Sequence, residues 1–260
     1  MAACSNCFVE MSGEYCAACG ERRVRPDDLS AIRFLHDFVD QVANFRFKFK
    51  TLRSLLALAT PGLVTVDFLV GRRLRYLNPL RLYLICAAIF FVSAPWAGFT
   101  LEEMIESDRT GRLSQLVSVQ AATSALGRAH FTERFDLRVQ TVDTIVLGVG
   151  VVALALLLQL VCRQRDKPFG AHVVFALHFV SFQYLATIVM GASRQLGLPS
   201  DLAPAIGLCL IAAYLVLALK RVYGGRMLST LSRAAALFAL TLAVNYAASI
   251  ASIRLTLLLV

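Results

Sequence analysis

The sequence predicts an all-α polytopic membrane protein with about five transmembrane helices and a small N-terminal zinc ribbon or knuckle. Two observations predict this combination. First, 58% of the 260 residues are hydrophobic and 17% are charged, whereas soluble domains have about 45–50% apolar and about 25% charged residues. Second, the chain begins with clustered cysteines and acids, where a secretory signal peptide would need a basic start and an apolar core. We therefore expect an N-terminus that is not cleaved.

The N-terminal cysteines form the pattern C-x2-C-x8-C-x2-C-G, with Cys4, Cys7, Cys16 and Cys19. Two short turns of this kind can direct four thiolates at one centre, which is the ligand set of a tetrahedral zinc site. Because all four ligands are cysteines, no position stays open for a reaction, and we expect the zinc to be structural. Residues 1–25 contain too few apolar side chains for a core, so the metal would supply most of their folding free energy.

Three other interpretations of the cysteine pairs remain open at this point: disulfide bonds, a rubredoxin-like iron site and a redox pair. Disulfides need an oxidising compartment, whereas the topology predicted below places this end of the chain in the cytosol. The remaining cysteines, Cys86, Cys162 and Cys209, stand singly in apolar runs. Such cysteines are typically small buried side chains.

Residues 26–79 are predicted to form a cytosolic linker followed by helices at the membrane interface. Residues 30–56 have apolar side chains near helical spacing and contain the motif FRFKFK. This favours an amphipathic helix on anionic headgroups over nucleic-acid binding or ordinary helix packing. In residues 52–70, Pro61-Gly62 interrupts the apolar run, and a clean span needs about 20 apolar residues. We therefore expect a broken interfacial or re-entrant pair of short helices, with a full span as the alternative.

Five apolar runs in residues 80–260 are predicted to be transmembrane helices. They are residues 80–99, 141–162, 171–191, 203–220 and 234–259. Arginines and lysines precede the first helix and occupy the connections between the second and third and between the fourth and fifth helices. Because such flanks are cytoplasmic, we expect a cytosolic N-terminus and an extracytoplasmic C-terminus. Residues 100–140 are then extracytoplasmic, and we expect them to form a short helical hairpin.

A candidate lipid or ligand site combines an arginine-rich segment with two histidines in the third apolar run. Its residues are Arg72, Arg73, Arg75, Arg81, His172 and His178. Arginine suits bidentate contact with a phosphate headgroup, and a polar group inside a bilayer is a functional candidate because it is costly there. The two histidines are six residues apart, about 120° from sharing a helical face, so they cannot chelate one metal side by side. Hydrogen bonds to neighbouring helices are the alternative role for both.

Three classes of function follow from these features. The first is a membrane adaptor or scaffold, in which the zinc ribbon recruits a protein partner or the basic segment senses anionic lipid. The second is a small transporter or channel with a polar path near His178, and the third is a membrane-embedded enzyme that acts on lipid headgroups. The sequence has no nucleophile elbow, zinc-protease motif or phosphate-binding loop, which does not favour an enzyme. No nucleic-acid partner is expected, because a net charge of +9 is typical of cytoplasmic flanks and anionic lipid contact in a membrane protein.

Four sequence motifs together carry a resemblance to a known family. They are CSNC with CAACG, Thr51 with Leu55-Leu56 and Pro61-Gly62, GRRLRYLNPLRLY from residue 71, and HVVFALHFVSF from residue 172. In this combination the chain resembles a bacterial family of membrane proteins, domain-of-unknown-function family 3667. The resemblance implies a cytosolic zinc ribbon fused to a domain in the bacterial inner membrane, and it implies no known reaction. Arg72 and Glu21 stand where the family pattern leads us to expect lysine and glutamine.

Overall fold

The computed structural model describes residues 2–24, 49–93, 127–162, 167–195 and 202–259, with isolated positions between 105 and 119. The described chain is mostly helical. Its helices are α1 (Phe49–Leu58), α2 (Leu63–Leu69), α3 (Pro79–Ser93), α4 (Gly127–Val161), α5 (Phe169–Gln195), α6 (Leu202–Tyr223) and α7 (Met227–Leu259). Strands β1 (Ala2–Ala3) and β2 (Glu10–Met11) form an antiparallel pair. We call residues 2–24, which contain both strands, the cysteine module.

Three of the described helices are long and apolar enough to cross a membrane. These spans are Phe169–Ser193 in α5, Ala205–Tyr223 in α6 and Met227–Thr256 in α7. Helices α1 and α2 make a fourth if they are taken as one broken span, since they are bent by 117° at the break between them. Helix α3 and residues Gly148–Val161 of α4 are apolar but shorter. The described residues therefore contain three or four candidate spans.

The helix boundaries differ from the sequence prediction mainly at α4 and α7. Helix α4 begins at Gly127 instead of residue 141, and α7 begins at Met227 instead of residue 234. Phe131 and Phe135, one helical turn apart, are fully buried in the early part of α4, so residues 127–140 of the predicted extracytoplasmic segment belong to this helix. An apolar run indicates which part of a helix can lie in lipid. Polar turns at either end can belong to the same helix.

Parts of three predictions lie outside the described residues. The predicted interfacial helix falls there as far as residue 48, as do residues 94–99 at the end of the first predicted span. The predicted extracytoplasmic segment is described only at isolated positions before residue 127.

Helix α5 lies at the centre of the helical bundle. It packs against α3, α4 and α6, while α7 packs against α4 and α6. In the candidate span of α5, 61% of the residues are buried inside the protein, compared with 12% in α7. Helix α5 is therefore surrounded by protein, and α7 presents most of its apolar surface outward, as a helix in contact with lipid does.

The bent pair α1 and α2 packs against α5 and α6, and its turn needs a glycine. Gly62 has a φ of 71°, and a Cβ atom there would lie 3.1 Å from the backbone oxygen of Ala218 in α6. Just before the turn, the Tyr214 hydroxyl of α6 donates a hydrogen bond of 2.9 Å to the Leu58 carbonyl oxygen. This bond satisfies a carbonyl that the end of α1 would otherwise leave without an intrahelical partner.

Helix α2 ends in a Schellman motif at a second glycine with positive φ. Gly71 has a φ of 90°. Its N–H donates to the Phe68 carbonyl at 3.1 Å, and the Arg72 N–H donates to the Asp67 carbonyl at 2.8 Å, which is the bonding pattern of this motif. A Cβ atom at Gly71 would lie less than 3.0 Å from Cγ2 of Val24. The glycine therefore also allows the cysteine module to approach α2 closely.

Candidate metal centre and its contact with the membrane domain

The four N-terminal cysteine sulfurs converge on one point. Cys4 Sγ lies 3.6 Å from Cys19 Sγ, and Cys7 Sγ lies 3.5 Å from Cys16 Sγ. All four sulfurs lie within 4.8 Å of one another. A tetrahedral ion with metal–sulfur bonds of about 2.3 Å separates its ligands by about 3.8 Å, so the four sulfurs are close enough together to hold a metal ion. All seven cysteines of the chain are free, so no disulfide joins these pairs.

Each cysteine pair lies on the same kind of turn. In the first turn the Phe8 N–H donates to the Cys4 carbonyl at 3.0 Å, and in the second the Gly20 N–H donates to the Cys16 carbonyl at 2.8 Å. The residue after the second cysteine has a positive φ in both turns, 63° at Phe8 and 75° at Gly20. Glycine adopts this conformation easily, whereas another residue is strained by about 1–3 kcal/mol. The first turn therefore retains an aromatic side chain at a position that favours glycine.

Backbone amides favour the thiolate form of Cys4. The amides of Cys7 and Asn6 lower the pKa of the Cys4 thiol to about 7, and the Asn6 N–H lies 3.4 Å from its sulfur. The Val9 amide acts on Cys7 in the same direction, but burial and the neighbouring cysteine sulfurs raise the pKa of Cys7 to about 12. Adjacent thiolates repel one another, and a bound cation removes that obstacle as the thiols release their protons.

The cysteine module rests on residues 71–75, which we call the arginine segment. Arg72 Nε donates to the Ser5 carbonyl at 3.1 Å, and Arg75 Nε donates to Asn6 Oδ1 at 3.0 Å. Ser5 and Asn6 are the two residues between the first pair of cysteines. The arginines therefore contact the part of the module whose conformation a bound metal would fix.

Two buried carboxylates hold the arginine segment in place. Asp67 Oδ1 lies 3.0 Å from Arg72 Nη1 and Asp67 Oδ2 lies 3.7 Å from Arg75 Nη1, while the Asp67 side chain is 5% exposed. Glu21, which is 3% exposed, accepts a hydrogen bond of 3.0 Å from the Leu74 N–H. A buried carboxylate is costly unless it is paired. These contacts therefore favour one arrangement of the module, the arginine segment and α2.

Two further arginines of the candidate lipid site lie beside other groups. The Arg73 guanidinium lies over the Phe68 ring at 4.9 Å from its centroid. Arg81, near the start of α3, is close enough to Lys50 for their positive charges to interact. Three of the four predicted arginines thus lie between α2 and α3, and the fourth lies in the first turn of α3. Two of the four contact the cysteine module.

The two predicted histidines of α5 have separate partners. His178 Nδ1 shares a hydrogen bond of 2.9 Å with the Thr65 hydroxyl of α2. His172 Nδ1 shares one of 2.8 Å with the Tyr223 hydroxyl at the end of α6, and the two rings stack with centroids 5.6 Å apart. The histidines thus connect α5 to two different elements. The role of the arginines and histidines as a lipid or ligand site stays a prediction.

Sequence reasoning missed the carboxylates that complete this site. Asp67 is a single acid in an apolar run that leads directly into the arginines, and a buried acid before a basic block is a signal for an ion pair. For Glu21, one residue beyond CAACG, the sequence offers no comparable signal, because its partner is a backbone N–H far along the chain.

Comparison with known proteins bears on the membrane domain and the arginine segment. Residues 49–91 match the family model described as "Protein of unknown function (DUF3667)". The matched region contains α1, α2, the arginine segment and most of α3, and it begins after the cysteine module. No curated protein and no solved structure matches the chain. The predicted resemblance to this family is confirmed over residues 49–91.

Proposed function

We propose that this protein is a membrane adaptor whose cytosolic zinc ribbon recruits a protein partner to the membrane surface. In this proposal a structural zinc ion binds the four cysteines of the module. Helices α3 and α4 cross the membrane together with α5, α6 and α7, giving five spans. The distribution of basic residues supports a cytosolic N-terminus and an extracytoplasmic C-terminus, and the family resemblance favours a bacterial inner membrane.

The observation that carries the proposal is the exposed aromatic surface of the docked module. Phe8 is 68% exposed and Tyr15 is 61% exposed, while the turn between the first cysteines is engaged by the arginine segment. Phe8 has a positive φ, so its backbone is strained where glycine would not be. A strained phenylalanine that is mostly exposed is typical of a contact surface, and we infer that a partner covers it.

The charges beside Phe8 indicate the chemistry of the partner. The Arg72 guanidinium lies 5.9 Å from the centroid of the Phe8 ring, and the Arg72 side chain is 30% exposed. Aromatic residues and arginines are enriched among the side chains that dominate protein–protein binding. We therefore infer a cytosolic protein partner that offers an apolar pocket bordered by carboxylates. Anionic lipid, which would satisfy the arginine alone, is the alternative outcome of the test.

The test replaces Phe8 with glycine, the residue at the equivalent position of the second turn. This change removes the ring and relieves the positive φ, so the module should retain its metal. A photoreactive amino acid at Tyr15 of the full-length protein in native membranes should form an adduct with one protein. Phe8→Gly should lower the yield of that adduct by about tenfold. Leu228→Ala, which removes an exposed apolar side chain from α7, should leave the yield unchanged.

The identified partner must then bind the purified full-length protein directly, and binding must weaken in Phe8→Gly. Equal adduct yields in Phe8→Gly and the wild type would contradict the proposal. If the wild type forms no protein adduct and Phe8→Gly loses binding to phosphatidylglycerol vesicles, the surface binds anionic lipid instead. Combined Cys16→Ser and Cys19→Ser should abolish both metal and adduct, and His178→Ala should keep both. A transporter or enzyme that depends on the histidine would lose its activity in His178→Ala and keep it in the double cysteine variant.

A further inference from the structure

A cavity of about 270 Å³ lies between the helices of the bundle. Residues from five helices line it, among them Phe90 of α3, Gly150 of α4, Gln183 of α5, Ile211 of α6 and Thr241 of α7. Its volume equals that of about nine waters at about 30 Å³ each, and ligand pockets begin at about 300 Å³. The cavity is slightly smaller than such pockets, so it fits part of one lipid chain or a small ring, and residues of the cysteine module do not line it.

The cavity lies near the middle of the candidate spans. Gln183 and Thr241 each lie 14 residues after the first residue of their span, Phe169 and Met227. Fourteen residues of helix correspond to about 21 Å. The two spans contain 25 and 30 residues, so both polar side chains lie about halfway along them. A polar group at this depth is costly unless it has a partner, and is therefore a functional candidate.

The hydroxyl of Thr241 gives the cavity wall a polar group that the described residues do not satisfy. The Thr187 hydroxyl, also on the cavity wall, donates to the carbonyl four residues earlier at 2.8 Å, which is the usual arrangement in a helix. Thr241 Oγ1 is buried and has no hydrogen-bond partner among the described residues. Buried polar atoms without a partner are rare in native proteins and call for an explanation. A ligand in the cavity that forms a hydrogen bond with the Thr241 hydroxyl would explain it.

The remaining lining indicates the class of ligand. None of the described residues that line the cavity carries a formal charge, and most are aliphatic or aromatic. A phosphate or ammonium group would therefore be buried without a counter-charge. The amide of Gln183 and the hydroxyl of Thr241 offer both donors and acceptors. We propose that the cavity binds a neutral lipid, an apolar chain that carries an uncharged carbonyl or hydroxyl group.

Two glycines of α4 provide a matched pair of variants. A Cβ atom at Gly148 or at Gly150 would have no neighbour within 4 Å, so either position accepts a larger side chain. Gly150 lines the cavity, and Gly148 is not among the described residues that do. Gly150→Leu therefore places a side chain in the cavity, whereas Gly148→Leu adds the same bulk and helix propensity outside it.

The probe is a diacylglycerol with a photoreactive diazirine in one acyl chain, incorporated with the full-length protein into phosphatidylcholine vesicles. We expect labelling of the cavity-lining part of α5 or α6, a decrease of about tenfold in Gly150→Leu and little change in Gly148→Leu. Equal labelling of the two leucine variants would overturn the proposal. Metal content and a monodisperse elution profile show that each variant is folded.

A second comparison tests recognition of the polar group. Thr241→Val removes the hydroxyl and keeps the shape of the side chain, so labelling by the diacylglycerol should fall severalfold. Labelling by a diazirine alkane, which has no polar group, should stay the same. If the two probes label wild type equally and Thr241→Val changes neither, the cavity admits any hydrocarbon chain and the proposal is wrong. These results do not depend on the recruitment of a protein partner by the cysteine module.

Discussion

Replacing Gly71 with alanine should separate the cysteine module from the membrane domain and leave the metal in place. Two physical effects act at this position. Gly71 has a φ of 90°, which is strained for any residue with a Cβ atom. The new Cβ would also lie less than 3.0 Å from Val24 Cγ2 and 3.1 Å from Ser5 Oγ. The first distance is shorter than a van der Waals contact, so the Val24 side chain and the docked segment that carries it must shift.

The two effects destabilise different parts of the structure. The strain of positive φ, about 1–3 kcal/mol, acts on the Schellman motif at the end of α2 whether or not the module is docked. The contact with Val24 acts on docking alone, and overpacking of this kind costs about 1–3 kcal/mol. A docking cost of about 2 kcal/mol changes the ratio of docked to undocked module by about 30-fold.

Other glycines and Val24 provide the controls. Gly13 has no positive φ, and a Cβ atom added there would have no neighbour within 4 Å, so Gly13→Ala should leave docking unchanged. Gly20 has a φ of 75° but open surroundings, so Gly20→Ala should strain the second cysteine turn without a clash. Adding Val24→Ala to Gly71→Ala removes the closest contact and should restore most of the docking.

The assay is limited digestion by trypsin at Arg22 and Arg23, combined with metal analysis of the intact protein. Arg23 donates a hydrogen bond of 3.1 Å to the Met11 carbonyl within the module, so metal-bound module should resist cleavage better than module without metal. Gly71→Ala should be cleaved at these two arginines faster than wild type, with its metal retained. Equal cleavage of Gly71→Ala and Gly13→Ala would refute the close approach. Failure of Val24→Ala to restore protection would refute the steric explanation.

Three further predictions concern the metal, the ion pairs and the bent helix pair. Metal affinity, measured by competition with a chelator, should fall between pH 8 and pH 6. The Cys4 thiol, with a pKa of about 7, becomes protonated as the pH decreases, and thiolates are the ligands. An unchanged affinity would argue against cysteine ligation. Asp67→Asn removes both ion pairs with the arginine segment and should weaken docking by about 1–2 kcal/mol, a moderate value because both arginines are partly exposed, measured by the same tryptic cleavage. Tyr214→Phe removes the hydroxyl that caps Leu58 and should lower thermal stability by about 1 kcal/mol, whereas an unchanged melting temperature would show that the bond contributes nothing.

The features that local patterns determine could be predicted from the sequence. The cysteine quartet follows from spacing alone, and the sulfurs converge as that spacing requires. The predominance of apolar helices follows from composition, because backbone polar groups in lipid need internal partners. Pro61-Gly62 marks a break in the apolar run, and the structure has a bend of 117° between the helices on either side.

The contacts between distant segments could not be predicted in this way. Arg72 lies 67 residues after Ser5 in the chain, and nothing in the arginine pattern alone separates a headgroup site from a docking site for the module. The same pattern of four arginines is compatible with both, since a guanidinium donates hydrogen bonds to phosphate oxygens and to backbone carbonyl oxygens. The positive φ of Phe8 was equally hidden, because the residue itself argues against that conformation.

The lengths of α4 and α7 show a limit of predicting helix boundaries from hydropathy. Hydropathy identifies the stretch of a helix that can lie in lipid, and it does not report where the helix itself begins. The buried Phe131 and Phe135 of α4 lie among charged residues, so an average over this stretch conceals an apolar stripe at helical spacing.

The central claim is that a metal shapes the cysteine module and that the arginine segment holds the shaped module. Hydrogen exchange at the Leu74 amide tests this most directly, because its N–H donates to Glu21 of the module at 3.0 Å. The amide should exchange slowly in the metal-bound protein and much faster after the metal is removed with a chelator, while amides in the buried part of α5 keep their protection. Equal exchange at Leu74 with and without metal would contradict the claim.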